Sequence, residues 1–219
     1  MSATATAKPL TGGGVPRPAS GSSQADEDEG GRFRRRLLDA LAASIADKGY
    51  RATTVADIVR RARTSRRTFY EHFAGKEECF IALLSDTNGQ TIRRIAAAVD
   101  REAPWERQVR QAVGAWIGAS EAEPALTLSW IRDVPALGAA ARRLQRDMME
   151  GFIVLVQQLC DTEALRAAGI RPVPRPLAIM LLGGLRELAA TTVEDGGRIG
   201  DITETAVQAA IALLGPAVK

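Results

Sequence analysis

Residues 53–78 read TTVADIVRRARTSRRTFYEHFAGKEE and describe two short helices joined by a turn. Thr54 offers an N-cap with Asp57 three residues later, which predicts a helix over 55–62. Ser65 offers the next N-cap, for a helix over 66–73, and Gly75 separates that helix from a longer one running to about residue 100. Two short helices with a tight turn and a basic second helix are typical of a helix-turn-helix DNA reader.

The second of these helices has one apolar side. Phe69 and Phe73 lie close together on a helical wheel and predict the side that is buried. Side chains on the opposite side would reach base edges in a DNA groove, and those on the flanks would meet phosphates. The residues predicted to face bases are Arg67, Thr68 and Glu71, and those predicted to face phosphates are Tyr70 and His72.

Lys76 stands in the first turn of the long helix that follows. A cation there opposes the helix dipole and costs about 0.3–1 kcal/mol, whereas with an anion bound at the same helix end the lysine charge would be favourable. We predict a phosphate clamp made by the Lys76 ammonium and the backbone N–H groups of residues 76–78, beside Tyr70 and His72. The alternative is a surface lysine tolerated beside Glu77 and Glu78.

The positive charge of the chain is concentrated in one segment. The whole chain has a net charge of +3, but residues 32–76 hold twelve Lys or Arg and four Asp or Glu, a net +8. Residues 1–31 and 77–219 together carry a net −5. This distribution indicates a polyanion-binding module attached to a mildly acidic remainder, although a solvated basic helix face would look the same.

Residues 37–84 contain a set of residues at fixed spacings: Gly49-Tyr50, Thr53-Thr54-Val55, Ile58, Ala62, Ser65, Thr68-Phe69-Tyr70, His72-Phe73 and Lys76-Glu77. With these features the segment resembles the DNA-binding domain of the tetracycline-repressor (TetR) family of bacterial transcriptional regulators. The resemblance implies an all-helical homodimer, usually a repressor, that a small molecule releases from its operator.

The turn departs from the family pattern at two positions. Arg63 stands where the family has glycine, which costs stability if that residue needs a positive φ. Arg67 replaces a small residue; it would either reach guanine O6 and N7 or pair with Glu71 four residues later, and both readings stay open. The set predicted to contact DNA is completed by Thr53, Thr54, Ser65 and Arg66.

The whole chain is predicted to be all-α, with about nine helices in two folded units. Residues 1–31 have few large apolar residues and are predicted to be a disordered tail. The helix-turn-helix domain is placed at 32–78, and a domain for ligand binding and dimerisation at 79–219. Pro104, Pro124 and Pro135 are each predicted to begin a helix. The helices predicted in the second domain are 104–122, 124–132, 135–161, 177–193 and 201–214.

Two functions are predicted for the second domain. The helix at 177–193 is apolar on more than one side, and the last helix has a stripe of small residues, which indicates a homodimer contact. Its predicted residues are Leu177, Leu181, Gly184, Leu188, Ala206, Ala210 and Leu213. Aromatic and methionine side chains of the middle helices predict a cavity for an apolar small molecule, although ordinary core packing is the favoured reading for any one of them taken singly. These are Trp116, Trp130, Met148, Met149 and Phe152.

The sequence argues against several classes of protein. It lacks the common catalytic and nucleotide-binding motifs and has a single histidine, so we predict no enzyme and no cofactor. Cys79 and Cys160 belong to no cysteine or histidine cluster, which predicts buried reduced thiols and no metal site. No apolar run reaches about 20 residues, so no membrane span and a cytoplasmic location are expected. An interaction protein acting through another regulator, and an effector-independent DNA-binding protein, remain the alternatives.

Overall fold

A computed structural model of the chain describes residues 21–216. Over this range the chain has ten α-helices, two 3₁₀ helices and no strand, which confirms the all-α prediction. The helix beyond the predicted nine is the five-residue α8. The α-helices are α1 Gly21–Ala52, α2 Val55–Arg61, α3 Arg66–His72, α4 Lys76–Ala98, α5 Trp105–Ala122, α6 Pro124–Arg132, α7 Ala139–Cys160, α8 Glu163–Ala167, α9 Arg175–Glu194 and α10 Thr203–Leu214; the 3₁₀ helices are Val134–Leu137 and Ile199–Ile202.

The first helix begins earlier than the sequence suggested. It starts at Gly21, so the disorder predicted for 21–31 is wrong, while residues 1–20 lie outside the described residues. At its other end, α1 is interrupted by Gly49, whose φ of 78° lies in the left-handed region that glycine tolerates.

The N-terminal core is made where α1, α2, α3 and the start of α4 meet. Leu41, Ile58, Phe69 and Phe80 are fully buried there. The ring of Tyr50 stacks on that of Phe80, with 4.0 Å between the centroids. Burial of these aromatic and branched side chains fixes the short helices, which are too short to be stable alone.

The prolines mark the helix starts with one exception. Pro124 is the first residue of α6, and Pro104 is the N-cap of α5. Pro135 instead lies in the 3₁₀ helix Val134–Leu137, and α7 begins only after Gly138, whose φ is 96°. The prediction that Pro135 starts a long helix was wrong because a glycine with positive φ three residues later breaks the chain direction.

The C-terminal bundle is built around α5, α7, α9 and α10. Its core includes Ile117, Ile153, Leu182 and Val207. α4 leads out of the N-terminal domain and packs on α5 and α7, and α1 packs on α6. The N-terminal domain is therefore fixed to the bundle at two places, through α4 and through the contact of α1 with α6.

One helix of the described range, α9, is long and apolar enough to cross a membrane by length and composition. In this fold it packs against α6, α7 and α10, and six of its residues are buried. Cys79 and Cys160 are free and buried, as predicted, and burial raises the pKa of their thiols to about 12 and about 11.

Candidate nucleic-acid interface and ligand cavity

The caps of α2 and α3 are those predicted. Thr54 is the N-cap of α2 and forms a reciprocal capping box with Asp57. Ser65 is the N-cap of α3, and its hydroxyl accepts a hydrogen bond of 3.0 Å from the backbone N–H of Thr68. Each cap satisfies a backbone donor that the helix start leaves free, so the first residues of α2 and α3 are set by local sequence.

The surface of α3 presents polar and basic groups to solvent. Phe69 and Phe73 are buried, as the helical wheel predicted, and Tyr70 is 56% exposed on the flank. Thr68 and His72 are partly exposed, and Arg66 and Glu71 are exposed. The side chain of Arg67 is 90% exposed, and its Nε donates a hydrogen bond of 3.1 Å to Glu71. We call Arg66, Arg67, Thr68, Tyr70, Glu71 and His72 the reader surface.

Thr53 does not belong to this surface. Its side chain is 1% exposed, and its hydroxyl donates a hydrogen bond of 2.8 Å to the carbonyl of Gly49. The prediction that Thr53 contacts DNA was therefore wrong. Its hydroxyl instead satisfies a carbonyl at the kink in α1, which the pattern of Thr53-Thr54 could not reveal.

Lys76 is partly exposed, and its ammonium contacts backbone carbonyls of the chain. Its ammonium donates hydrogen bonds to the carbonyls of Tyr50 (2.9 Å) and Thr53 (2.8 Å) and lies 3.5 Å from the carbonyl of Arg51. It also lies 4.3 Å from the centroid of the Tyr50 ring. Partial burial lowers the pKa of Lys76. The ammonium thus caps the end of α1, and the predicted phosphate clamp was wrong for this group because its donors are already used.

Loss of this cap should destabilise the N-terminal domain. Lys76→Met is expected to lower the free energy of unfolding by about 2 kcal/mol, since hydrogen bonds from a charged donor to buried acceptors are lost. Denaturant unfolding measures this, with Arg60→Met as the control; Arg60 forms an exposed pair with Asp57, worth about 0.5 kcal/mol or less. If Lys76→Met leaves stability unchanged but weakens DNA binding, the phosphate contact predicted for Lys76 is correct.

The turn between α2 and α3 carries backbone strain. Arg63 has a φ of 50°, the one positive value at a non-glycine residue between 21 and 216. Arg36 holds the turn from outside: its guanidinium donates to the carbonyls of Ala62 and Arg63. The cost that the sequence predicted at this position is therefore present. Arg63 itself is exposed.

Replacing Arg63 with glycine should stabilise the chain. Arg63→Gly is expected to raise the free energy of unfolding by about 1 kcal/mol, because glycine adopts positive φ without the Cβ clash. Arg63→Ala is the matched control: it removes the same guanidinium but keeps the clash, and should give no such gain. Equal unfolding midpoints for the two variants would show that the turn is not strained.

Most basic groups near the reader surface are already paired. Asp57 binds Lys48 at 2.6 Å and Arg60 at 2.7 Å, and the hydrogen bonds from Lys48 and Thr54 hold its pKa well below the usual range. Arg61 pairs with Asp47. Within the described residues, Arg63 and Arg66 have no acidic partner. Their charges are thus available to an external anion, and sequence reasoning had missed Arg63 as a candidate contact.

Four of the five residues predicted to line a cavity do so. A cavity of about 240 Å³ is lined by Trp116, Trp130, Met149 and Phe152, together with residues of α1, α4 and α9. Met148 is not among its lining residues; it is buried in the N-terminal core, because it lies on a different side of α7. A second cavity of about 90 Å³ has almost entirely apolar walls and shares Trp116 and Phe152 with the first.

One wall residue of the first cavity is a charged group that the sequence analysis did not select. Arg186 lies on α9 with its guanidinium carbon 6.0 Å from the centroid of the Trp130 ring. Its Nε is buried without a hydrogen-bond partner. Burial lowers the pKa of Arg186, although arginine still carries its charge at neutral pH. A charge inside an otherwise apolar helical segment was the available signal.

The residues predicted for the dimer contact divide into two groups. Leu181, Ala206 and Ala210 are buried in the core of their own chain, so their assignment to a contact was wrong. The small side chains of α10 instead face α5 and α9. Leu177 and Leu188 are partly buried, whereas Gly184 and Leu213 are exposed.

Exposed apolar side chains of α9 and α10 replace the buried residues in the set that a second copy could contact. Met180 is 64% exposed and Ile179 is also exposed, and neither was selected from the sequence. A Cβ added to Gly183 or Gly184 would meet no atom of the chain. We call Ile179, Met180, Gly184, Ala209 and Leu213 the α9–α10 surface.

Residues 37–83 match the family model described as bacterial regulatory proteins, tetR family. Similar curated proteins include the HTH-type transcriptional activator FasR of Mycolicibacterium smegmatis, 28% identical over 103 residues, 47% of either chain. The HTH-type transcriptional repressor KstR2 of Mycobacterium tuberculosis is 41% identical over 75 residues, covering 34% of this chain and 38% of that protein. The matched segments thus span less than half the length of these relatives.

Two solved structures show the same fold over most of the chain. FadR from Bacillus halodurans, described as a fatty acid degradation regulator, has a TM-score of 0.71 at 18% identity and covers 84% of this chain and 95% of its own. FadR from Bacillus subtilis, in complex with stearoyl-CoA, has a TM-score of 0.71 at 17% identity and covers 83% and 99%. The named relatives and neighbours are regulators, in agreement with the prediction of no enzyme. Residues 37–83 are thus similar to the DNA-binding segment of the tetR family of bacterial regulatory proteins, and the fold of the chain is that of the two FadR regulators.

Proposed function

We propose that the chain is a transcriptional regulator that binds duplex DNA through the reader surface. The observation that carries this is the arrangement of α2 and α3: both helices are capped, Phe69 is buried against the N-terminal core, and the polar side of α3 is exposed. A capped second helix with an exposed polar side fits the major groove.

The roles of the reader residues follow from their positions on α3. Arg67, Thr68 and Glu71 face base edges, and the hydrogen bond to Glu71 holds the Arg67 guanidinium along the exposed side of α3. Arg66, Tyr70 and His72 meet phosphates, and Arg63 joins them from the turn. Thr54 and Ser65 contact phosphates at the starts of α2 and α3, where backbone N–H groups also point outward.

A homodimer formed through the α9–α10 surface would place two readers on one body. Met180, the most exposed large apolar side chain of this surface, supplies the apolar contact, and Gly184 allows a second helix to approach closely. A symmetric pair of readers matches a palindromic operator, whose half-sites lie about 34 Å apart or a multiple of that. The protein would act on this DNA in the cytoplasm.

A small molecule in the cavity near Trp116 is the proposed effector. The cavity walls include Leu38 of α1 and Leu84 of α4, so a ligand there would touch the helices that hold the N-terminal domain. A relative of the same fold binds stearoyl-CoA, which supports a ligand with a long apolar part. We propose release from the operator, hence repression; a hundredfold effect requires about 2.7 kcal/mol of differential affinity.

Selection of bound sites from random duplex DNA, with excess nonspecific DNA present, tests the proposal. The expected result is one palindromic motif, bound with an affinity that falls steeply as salt rises. Arg198→Ala is the control variant, since Arg198 is an exposed arginine on the bundle paired with Glu121, and it should select the same motif. Recovery of no motif, or displacement by nonspecific DNA, would favour an interaction protein.

A further inference from the structure

Arg186 has a buried donor, its Nε, for which the described residues supply no hydrogen-bond acceptor. Its Nε is buried and unpartnered in the wall of the larger cavity. A buried donor left without an acceptor costs free energy, more so when it is charged. Such a group in a cavity wall indicates that something other than the protein satisfies it.

The nearest acids on α9 are committed to another arginine. Arg132 donates two hydrogen bonds of 2.9 Å to Glu187, and two more of 2.7 and 2.9 Å to Glu194. Of the acids lining the cavity, Asp39 pairs with Arg35 and Asp86 with Arg34, while Glu123 is exposed. Glu187 still attracts the Arg186 charge at a distance, but within the described residues no carboxylate forms an ion pair with Arg186.

The smaller, almost wholly apolar cavity lies next to the larger one, and the two cavities share lining residues. Trp116, Phe152, Leu182 and Leu185 line both cavities. Neither volume, about 240 and about 90 Å³, reaches the roughly 300 Å³ at which ligand pockets usually begin, but the two together do. An elongated molecule that spans both would have one end at Arg186 and the other in an almost wholly apolar space.

We propose that the site binds an amphipathic carboxylate. Its acid group receives hydrogen bonds from the Arg186 guanidinium, and its apolar chain passes Trp116 and Phe152 into the smaller cavity. A planar guanidinium matches a carboxylate with two parallel hydrogen bonds, which a neutral head group cannot reproduce. This inference rests on the proposed function insofar as the same cavity is the effector site.

The test compares decanoate with 1-decanol, which share their chain and differ in head group. Binding is measured on the full chain by calorimetry and by tryptophan fluorescence, since all three tryptophans line one or both cavities. Decanoate is expected to bind about tenfold more tightly or better. Equal affinities for the two ligands, or binding of neither, would overturn the inference.

Arg186→Met removes the charge while keeping an unbranched apolar side chain. It should weaken decanoate about tenfold or more and leave decanol unchanged or tighter. The matched control is Arg175→Met, an exposed arginine on the same helix that pairs with Glu150, and it should change neither affinity. Equal losses for both ligands in Arg186→Met would contradict the assigned contact. The comparison of ligands on the unmodified chain remains decisive if this variant does not fold.

A separate measurement distinguishes this inference from the proposed function. Operator affinity is titrated with decanoate on the motif recovered by selection. Selective decanoate binding without any change in operator affinity confirms the Arg186 site and contradicts effector release. Specific DNA binding together with no preference for decanoate contradicts the Arg186 site and leaves the regulator intact.

Discussion

Replacing Met180 with glutamate is expected to give a folded monomer whose affinity for the selected operator falls by about a hundredfold or more. The reason is that Met180 is exposed in the single chain, so the charge costs little there, but it would be desolvated and unpaired against a second copy. A monomer has one reader and loses the gain from simultaneous binding of two half-sites, about 10²–10⁴ in affinity.

Sedimentation velocity and operator titration measure this effect, with two variants for comparison. Val154→Glu places the same charge on an exposed apolar position of α7 and should leave both the dimer and DNA binding intact. Leu181→Glu puts the charge next in sequence to Met180 but inside the core, so it should unfold the chain. If Met180→Glu remains a dimer, the proposed interface on α9 and α10 is wrong.

The second large effect is expected at Arg67. Arg67→Ala should relax preference at one base pair in each half-site, by about 1–3 kcal/mol, because a guanidinium reads guanine O6 and N7 together. Stability should change by only a few tenths of a kcal/mol, since the pair with Glu71 is solvent-exposed. The measurement is repeated site selection, followed by titration of single-base variants of the motif.

Arg66→Ala is the control that separates base reading from charge. Removing this unpaired cation should weaken all sequences alike and reduce the salt dependence by about one phosphate equivalent. If both variants weaken every sequence equally, Arg67 reads no base and its pair with Glu71 is a surface ion pair. The two interpretations that the sequence left open are decided by this comparison.

The N-terminal helices could be predicted because their signals are local. Thr54 with Asp57, and Ser65 with Thr68, lie three residues apart, and the period of Phe69 and Phe73 gives the buried side of α3 directly. The glycine that the family pattern has at position 63 raised the question of a positive φ there, and Arg63 has one. These features depend on a few neighbouring residues and need no knowledge of packing.

The errors arose where a distant residue decides the outcome. Lys76 binds carbonyls 23 to 26 residues earlier, and the helical periodicity of the sequence does not predict that contact. Ala206 and Leu181 lie on helices with apolar residues on several sides, so sequence alone could not tell the core from an exposed face. Arg186 was overlooked because a lone charge in an apolar helix has meaning only when the cavity around it is known.

The position of α1 in the cavity wall has a consequence for how the two readers could be controlled. α1 and α4 both enter the wall and both contribute to the core in which Phe69 of α3 is buried. Arg51 near the end of α1 binds Asp133 of the bundle at 2.9 Å. A ligand in the cavity would therefore rotate the reader surface relative to the bundle, about the contact of Arg51 with Asp133. In a two-fold dimer the same rotation occurs in both subunits and moves the two α3 helices in opposite directions. A small rotation in each subunit therefore changes the distance between the two α3 helices without unfolding either one.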